Sequence, residues 1–89
     1  MTAWTDSAQP ALSTMYRLQW EETQQCHVLL FPEGMVRLNM PAAEILRRCD
    51  GRTAVADLVA DLERTFGEAD LHADVLEFLE QARGRHWIR

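Results

Sequence analysis

Cys26 and His27 set a thiol beside an imidazole, the pairing in this chain best suited to acid–base or ligand chemistry. Their setting works against it. CHVLLF (26–31) reads as a strand, where neighbours point to opposite faces, so the two groups diverge. Neither Cys26 nor Cys49 belongs to a CxxC pair, and His72 and His86 lie far along the chain, so no familiar metal-ligand spacing is present. Both cysteines read as buried or half-buried thiols, with a regulatory or swapped-dimer disulfide, or a metal site, as the alternatives. The only serines, Ser7 and Ser13, fall in an aperiodic N-terminal stretch. Asp57, Asp61, Glu63, Asp74, Glu77 and Glu80 are spread along helical patterns and read as solvated faces. There is no GxSxG, P-loop, HExxH or dinucleotide fingerprint. The chain therefore reads as a non-enzyme with no catalytic residue, metal or cofactor of its own.

The elements around these residues come from periodicity. YRLQWEE (16–22) alternates, with Tyr16, Leu18 and Trp20 on one side, as in a half-buried strand. Polar residues 22–25 turn the chain into the 26–31 strand. Pro32-Glu33-Gly34 predicts a bulged three-residue hairpin, with Gly34 in the left-handed conformation, and Met35–Leu38 follows as a third strand. At Asn39 the period changes to that of a helix, with Asn39 as N-cap and Pro41 in the first turn. Ala42, Ile45, Leu46 and Cys49 mark its buried stripe, and Asp50-Gly51 its end. Thr53 is the expected cap of a second helix, carrying Val55, Leu58, Val59, Leu62 and Phe66 and stopped at Gly67. Asp70 is the expected cap of a third, carrying Leu71, Val75, Phe78, Leu79 and Ala82 and ending near Gly84. His86-Trp87-Ile88 is β-prone and reads as a short terminal strand, the rudiment of a wing.

The fold expected is α+β and winged helix-turn-helix-like: a three-stranded antiparallel sheet, three helices and a short C-terminal strand. Residues 1–14 read as a mobile arm and 15–89 as one domain. Trp4 in the arm is either a loosely packed aromatic or an anchor onto a neighbour. At 89 residues, 47% of them hydrophobic, the chain suits one small globular domain. No apolar run approaches the ~20 residues of a membrane span. The N-terminus has no basic residue or apolar run, so no signal peptide is expected and the location expected is cytoplasmic.

A winged helix usually suggests DNA, but the charge argues otherwise. Net charge is −5, and the third helix has four acidic residues (Asp70, Asp74, Glu77, Glu80) against Arg83. Phosphate would repel it. Arg47, Arg48 and Arg52, like Arg83, Arg85 and Arg89, sit at helix ends and offset helix dipoles. A DNA-binding regulator is thus the disfavoured alternative. The Met35–Leu38 strand is more informative. It lies at the sheet margin and carries only Arg37 as a charge, whereas natural edges are usually blunted. An apolar open edge is a template for a guest strand. With the third helix alongside, edge and helix would form a groove, and Leu76 fits either its floor or the core. The same edge could pair with itself, so monomer and homodimer both remain open.

YRLQWEE, CHVLLFPEGMVRLN, AAEILRRCDG and the terminal WI, in this order from about Tyr16 to Ile88, resemble the PqqD family of pyrroloquinoline quinone biosynthesis. Family members often have a polar capping pair before AAEIL; here it is Met40-Pro41. The resemblance implies a stand-alone recognition element for a ribosomal precursor peptide, acting as a chaperone. It would bind the precursor PqqA and present it to the radical S-adenosylmethionine enzyme PqqE, which holds the iron–sulfur cluster and the cofactor chemistry. In related elements the leader adds beside the third strand and packs on the third helix. On that reading Met35, Val36, Arg37 and Leu38 offer backbone and pockets, Arg37 meets an acidic side chain, and Val75, Leu76 and Leu79 form the opposing wall. Proline at Val36 would block binding if the donor there faces the guest.

Overall fold

The computed structural model describes residues 4–89. Three strands, β1 (Arg17–Glu21), β2 (Cys26–Phe31) and β3 (Gly34–Arg37), are followed by three helices, α1 (Met40–Arg47), α2 (Val55–Phe66) and α3 (His72–Gly84). The sheet is antiparallel in the order β1-β2-β3. The expected α+β arrangement of three strands before three helices is thus present.

One face of the sheet carries Leu18, Leu29 and Val36 in register, and Leu29 is completely buried under the helices. Leu46 of α1, Val55, Leu58 and Leu62 of α2, and Leu79 of α3 close the core around it. Each helix contributes the apolar stripe that its periodicity predicts. Trp20 departs from expectation: although it shares the core-side parity, it lies beyond the helices at 46% exposure. Its indole N–H donates to Glu22 at 2.9 Å and its ring meets His27 edge-on, with centroids 5.1 Å apart.

The β2–β3 turn is tighter than predicted. Phe31 pairs directly with Gly34, so only Pro32 and Glu33 form the loop. Gly34 has φ 155°, open to glycine and rarely adopted by other residues, but it is not the left-handed bulge expected. The hydrophobic pattern explains the choice. A two-residue turn aligns Val36 with Leu29 on the core face. A three-residue loop would shift the register by one and turn Met35 and Arg37 inward.

Helix caps follow the prediction at one end of three. Asn39 caps α1, its side-chain oxygen accepting the Ala42 N–H at 2.9 Å, with Pro41 in the first turn. Thr53 does not cap α2. Asp50 instead accepts the N–H groups of Arg52 and Thr53, both at 2.9 Å, and the Thr53 hydroxyl at 3.2 Å. Asp70 does not cap α3: it sits at φ 64° in the left-handed region, and Glu63 of α2 accepts the Leu71 N–H at 3.0 Å. Helix α1 ends at Arg47, before Asp50-Gly51.

The stretch expected as a mobile arm lies along the domain; its residues 1–3 fall outside the described residues. Pro10 is fully buried. Ala11 and Arg89 exchange backbone hydrogen bonds at 3.2 and 2.9 Å, and the Ser13 N–H donates to the Trp87 carbonyl at 2.8 Å. On the other side Leu12 donates to Cys49, and Pro10 accepts from Gly51. Asp6 Oδ1 is 2.9 Å from His72 Nε2. Trp4 packs against the domain's own core, with the Arg83 guanidinium 5.8 Å from its ring centre. The expected terminal strand is reduced to one bridge, Leu12 to Ile88. No helix among the described residues is long and apolar enough to cross a membrane.

Arg48 joins α1 to α2. Its Nε donates to Asp61 at 2.6 Å, Nη1 to Glu44 at 2.7 Å and Nη2 to the Thr65 hydroxyl at 3.0 Å. Arg48 thereby holds the carboxyls of Glu44 and Asp61 below their ordinary values of 4.5 and 3.8. A depressed folded-state value stabilises the fold above the ordinary value and stops doing so as pH falls through the folded one. We expect thermal melts to show a steeper loss of Tm in the wild type than in Arg48→Met as pH drops below 4.5, with the two curves converging in strong acid. Parallel curves would remove Arg48 as the cause.

Candidate peptide-binding groove

Sheet register determines which backbone groups are free on β3. Leu38 donates its N–H to the His27 carbonyl at 3.0 Å. In an antiparallel ladder this parity repeats every second residue. Val36 and Gly34, paired with Leu29 and Phe31, therefore direct their backbone groups at β2 as well. Met35 and Arg37 direct theirs outward. Among the described residues no strand lies on that side. The outer margin of β3 thus offers two residues' worth of unpaired donors and acceptors. The donor of Val36 is on the inner side, so proline there would strike the hairpin itself rather than a guest.

Beside this margin runs a groove of about 210 Å³ between β3 and α3. Val36 and Leu38 form its strand wall, and Phe78, Gln81, Ala82 and Arg85 its helix wall. Asn39 and Ala42 lie at its α1 end, and Trp87 closes it from the chain terminus. The Arg85 guanidinium stacks 5.3 Å from the centre of the Trp87 ring. Trp87 is held there from both sides: its N–H donates to Ala82 at 2.9 Å, and its carbonyl accepts from Ser13.

The residues expected at the site divide into three groups. Val36, Arg37 and Leu38 line the groove, while Met35 sits on the opposite sheet face at 48% exposure and offers only backbone to the margin. Val75 and Leu79 are buried in the core, behind the helix wall rather than on it. Leu76 is half-buried against the core. Two residues from Phe78 is about 200° around a helix, so Leu76 faces away from the groove. Phe78, Gln81, Arg85 and Trp87 were not anticipated as wall residues. Phe78, Gln81 and Arg85 follow the three- and four-residue spacing of one helix face. That spacing is visible in the sequence, but Arg85 reads there only as a dipole partner.

The groups with reactive potential lie elsewhere. Cys49 is buried and donates its S–H to the Ile45 carbonyl at 3.3 Å; burial pushes its thiol up to about 12, which keeps it protonated. Cys26 is a free, half-buried thiol. No cluster of three or more His, Cys, Asp or Glu side chains suited to a metal occurs among the described residues.

Comparison with known proteins identifies the family and the fold. Residues 26–88 match the family model for Coenzyme PQQ synthesis protein D. A protein of Azotobacter vinelandii named PqqA binding protein is 55% identical over 80 residues, covering 89% of this chain and 87% of that one. Its namesake in Acinetobacter baylyi is 46% identical over 80 residues, 89% and 81% of the two chains. The solution structure of the PqqD part of Methylobacterium extorquens PqqCD, described as a functional, stand-alone recognition element for ribosomally synthesised and modified peptides, superposes with a TM-score of 0.80. It is 31% identical and covers 99% of this chain and 96% of that one. With the family model matched over most of its length and its three-strand, three-helix fold shared, the chain belongs to the PqqD family of coenzyme PQQ synthesis proteins.

Proposed function

We propose that this chain is a non-catalytic peptide chaperone that binds the precursor PqqA as a fourth strand along the outer margin of β3. The observation that carries the proposal is the pair of outward backbone positions, Met35 and Arg37, running beside a groove of mixed polar and apolar walls against α3. Strand addition draws affinity from main-chain hydrogen bonds and specificity from the side chains that point into pockets. Guest side chains alternate: every second one enters the groove between Val36 and Phe78, and those between pass over Met35 and Arg37. Arg85 gives the groove a positive side chain, and Arg37 gives the opposite face of the margin another, so each favours an acidic residue in the guest on its own side. Names of relatives support the peptide assignment, since two of them are called PqqA binding proteins.

The bound precursor would then be handed to the radical S-adenosylmethionine enzyme PqqE, as the family resemblance implies. Strand addition suits that task because it holds a flexible peptide extended at the protein surface and leaves its far end free.

Proline scanning tests the strand register. Arg37→Pro removes an outward donor and leaves the β2 ladder intact, so PqqA affinity should fall at least about tenfold, roughly one hydrogen bond's worth, with little change in Tm. Val36→Pro should lower Tm, because its donor faces β2. Arg37→Ala separates the side-chain contribution from the backbone one. Unchanged PqqA affinity in a folded Arg37→Pro protein would rule out strand addition at β3. Presentation is tested by PqqA cross-linking with PqqE: omission of this protein, or its replacement by Arg37→Pro, should abolish or strongly slow product formation.

A further inference from the structure

A second concavity opens at the α1 end of the groove. It has a volume of about 640 Å³, three times that of the groove, and lies between α1, α2 and α3. Its lining is mainly apolar, with Met40, Ile45, Leu62, Phe66, Leu71 and Phe78. The volume falls in the range of about 300–1,000 Å³ typical of sites that engulf a ligand. The two spaces adjoin: Asn39, Ala42, Phe78 and Gln81 border both, so Phe78 is a shared partition. Met40, at 67% exposure, is the most exposed large hydrophobic residue of the described chain and stands at the rim. Glu68 and Asp74 border the same cleft, and neither carboxylate has an ion-pair partner among the described residues.

We infer that this cleft is a second subsite for the same peptide, receiving one large apolar side chain with a basic residue beside it. The inference rests on strand addition at β3. The direction follows from the sheet: an antiparallel guest, the pairing used throughout this sheet, runs opposite to β3. Its residues N-terminal to the paired stretch therefore pass Asn39 and reach the cleft mouth. Recognition is then bipartite, an extended segment with an acidic residue at Arg85 in the groove, preceded by an apolar anchor and a cation at Glu68 and Asp74. The wall polarity changes sign between the two spaces, which sets the guest's direction as well as its register.

The test is a backbone-amide and methyl NMR titration of the full-length protein with PqqA and with PqqA shortened from its N-terminus. Full-length peptide should shift Met35 and Arg37 at the margin and also Phe66 and Leu71 in the cleft, with intermolecular NOEs to the Ile45 and Leu71 methyls. The shortened peptide should retain the margin shifts and lose those of the cleft. Margin shifts alone with full-length peptide would overturn the cleft subsite while leaving strand addition standing; no shift at Met35 or Arg37 would overturn strand addition and the subsite with it. Cleft shifts that depend on protein concentration without peptide would mean that a second copy of this chain fills the site, and would overturn the proposal. Met40→Asp provides an independent check, since an acidic residue suits the first turn of a helix and should not lower Tm. It should weaken full-length PqqA about tenfold, by spoiling an apolar contact, and leave the shortened peptide's affinity unchanged. Equal weakening of both peptides would place Met40 outside the anchor site.

Discussion

The antiparallel register between β2 and β3 determines what this protein presents to a partner. A strand has two sides, and its residues commit their backbone groups to one or the other alternately. Because Leu38 bonds to His27 and Val36 lies opposite Leu29, Met35 and Arg37 are the residues left facing outward. Side-chain direction is bound to the same parity. Val36 and Leu38 face the helices, whereas Met35 and Arg37 face away from them. A strand added at this margin would inherit that alternation. The tight Pro32-Glu33 turn, allowed by the φ of Gly34, therefore governs both which backbone groups lie outward and the placement of the groove walls.

Helix α3 supplies the other wall, and its rotation about its own axis is set by burial. Val75, Leu79 and Ala82 turn inward to the core. Once they are committed, Phe78, Gln81 and Arg85 fall on the flank toward β3 and Leu76 on the other. The axial position is held by a contact between helices, the Glu63 carboxylate on the Leu71 N–H. At the far end the chain terminus bonds to Ala11 and Ser13, so Trp87 is a fixed wall. A pre-formed groove lowers the ordering cost of binding, and that matters for a guest peptide that must itself become ordered.

Opposite requirements are met in separate places. The ion-pair network of Arg48 with Glu44 and Asp61 clamps α1 to α2, away from the groove. Arg85, on the helix wall of the groove, makes no ion pair among the described residues and is steadied by stacking on Trp87. An overall charge of −5 does not preclude a locally positive groove wall at Arg85, because the field felt there extends over roughly a Debye length of about 8–10 Å.

Element order and type could be read from the chain itself, because the two- and 3.6-residue periods record which face of each element is buried. The open margin at Met35–Leu38 was legible for the same reason: composition carries it. Tertiary structure decided what depends on pairs distant in sequence. Whether the β2–β3 loop holds two residues or three reverses which donors face out, and burial of Leu29 against the helices decides it. The capping of Leu71 by Glu63, the binding of Ser13 to Trp87 and the meeting of Val36 with Phe78 leave no local trace. Periodicity reports that a residue is covered; only the packed chain determines what covers it and which neighbouring side chains remain open to a partner.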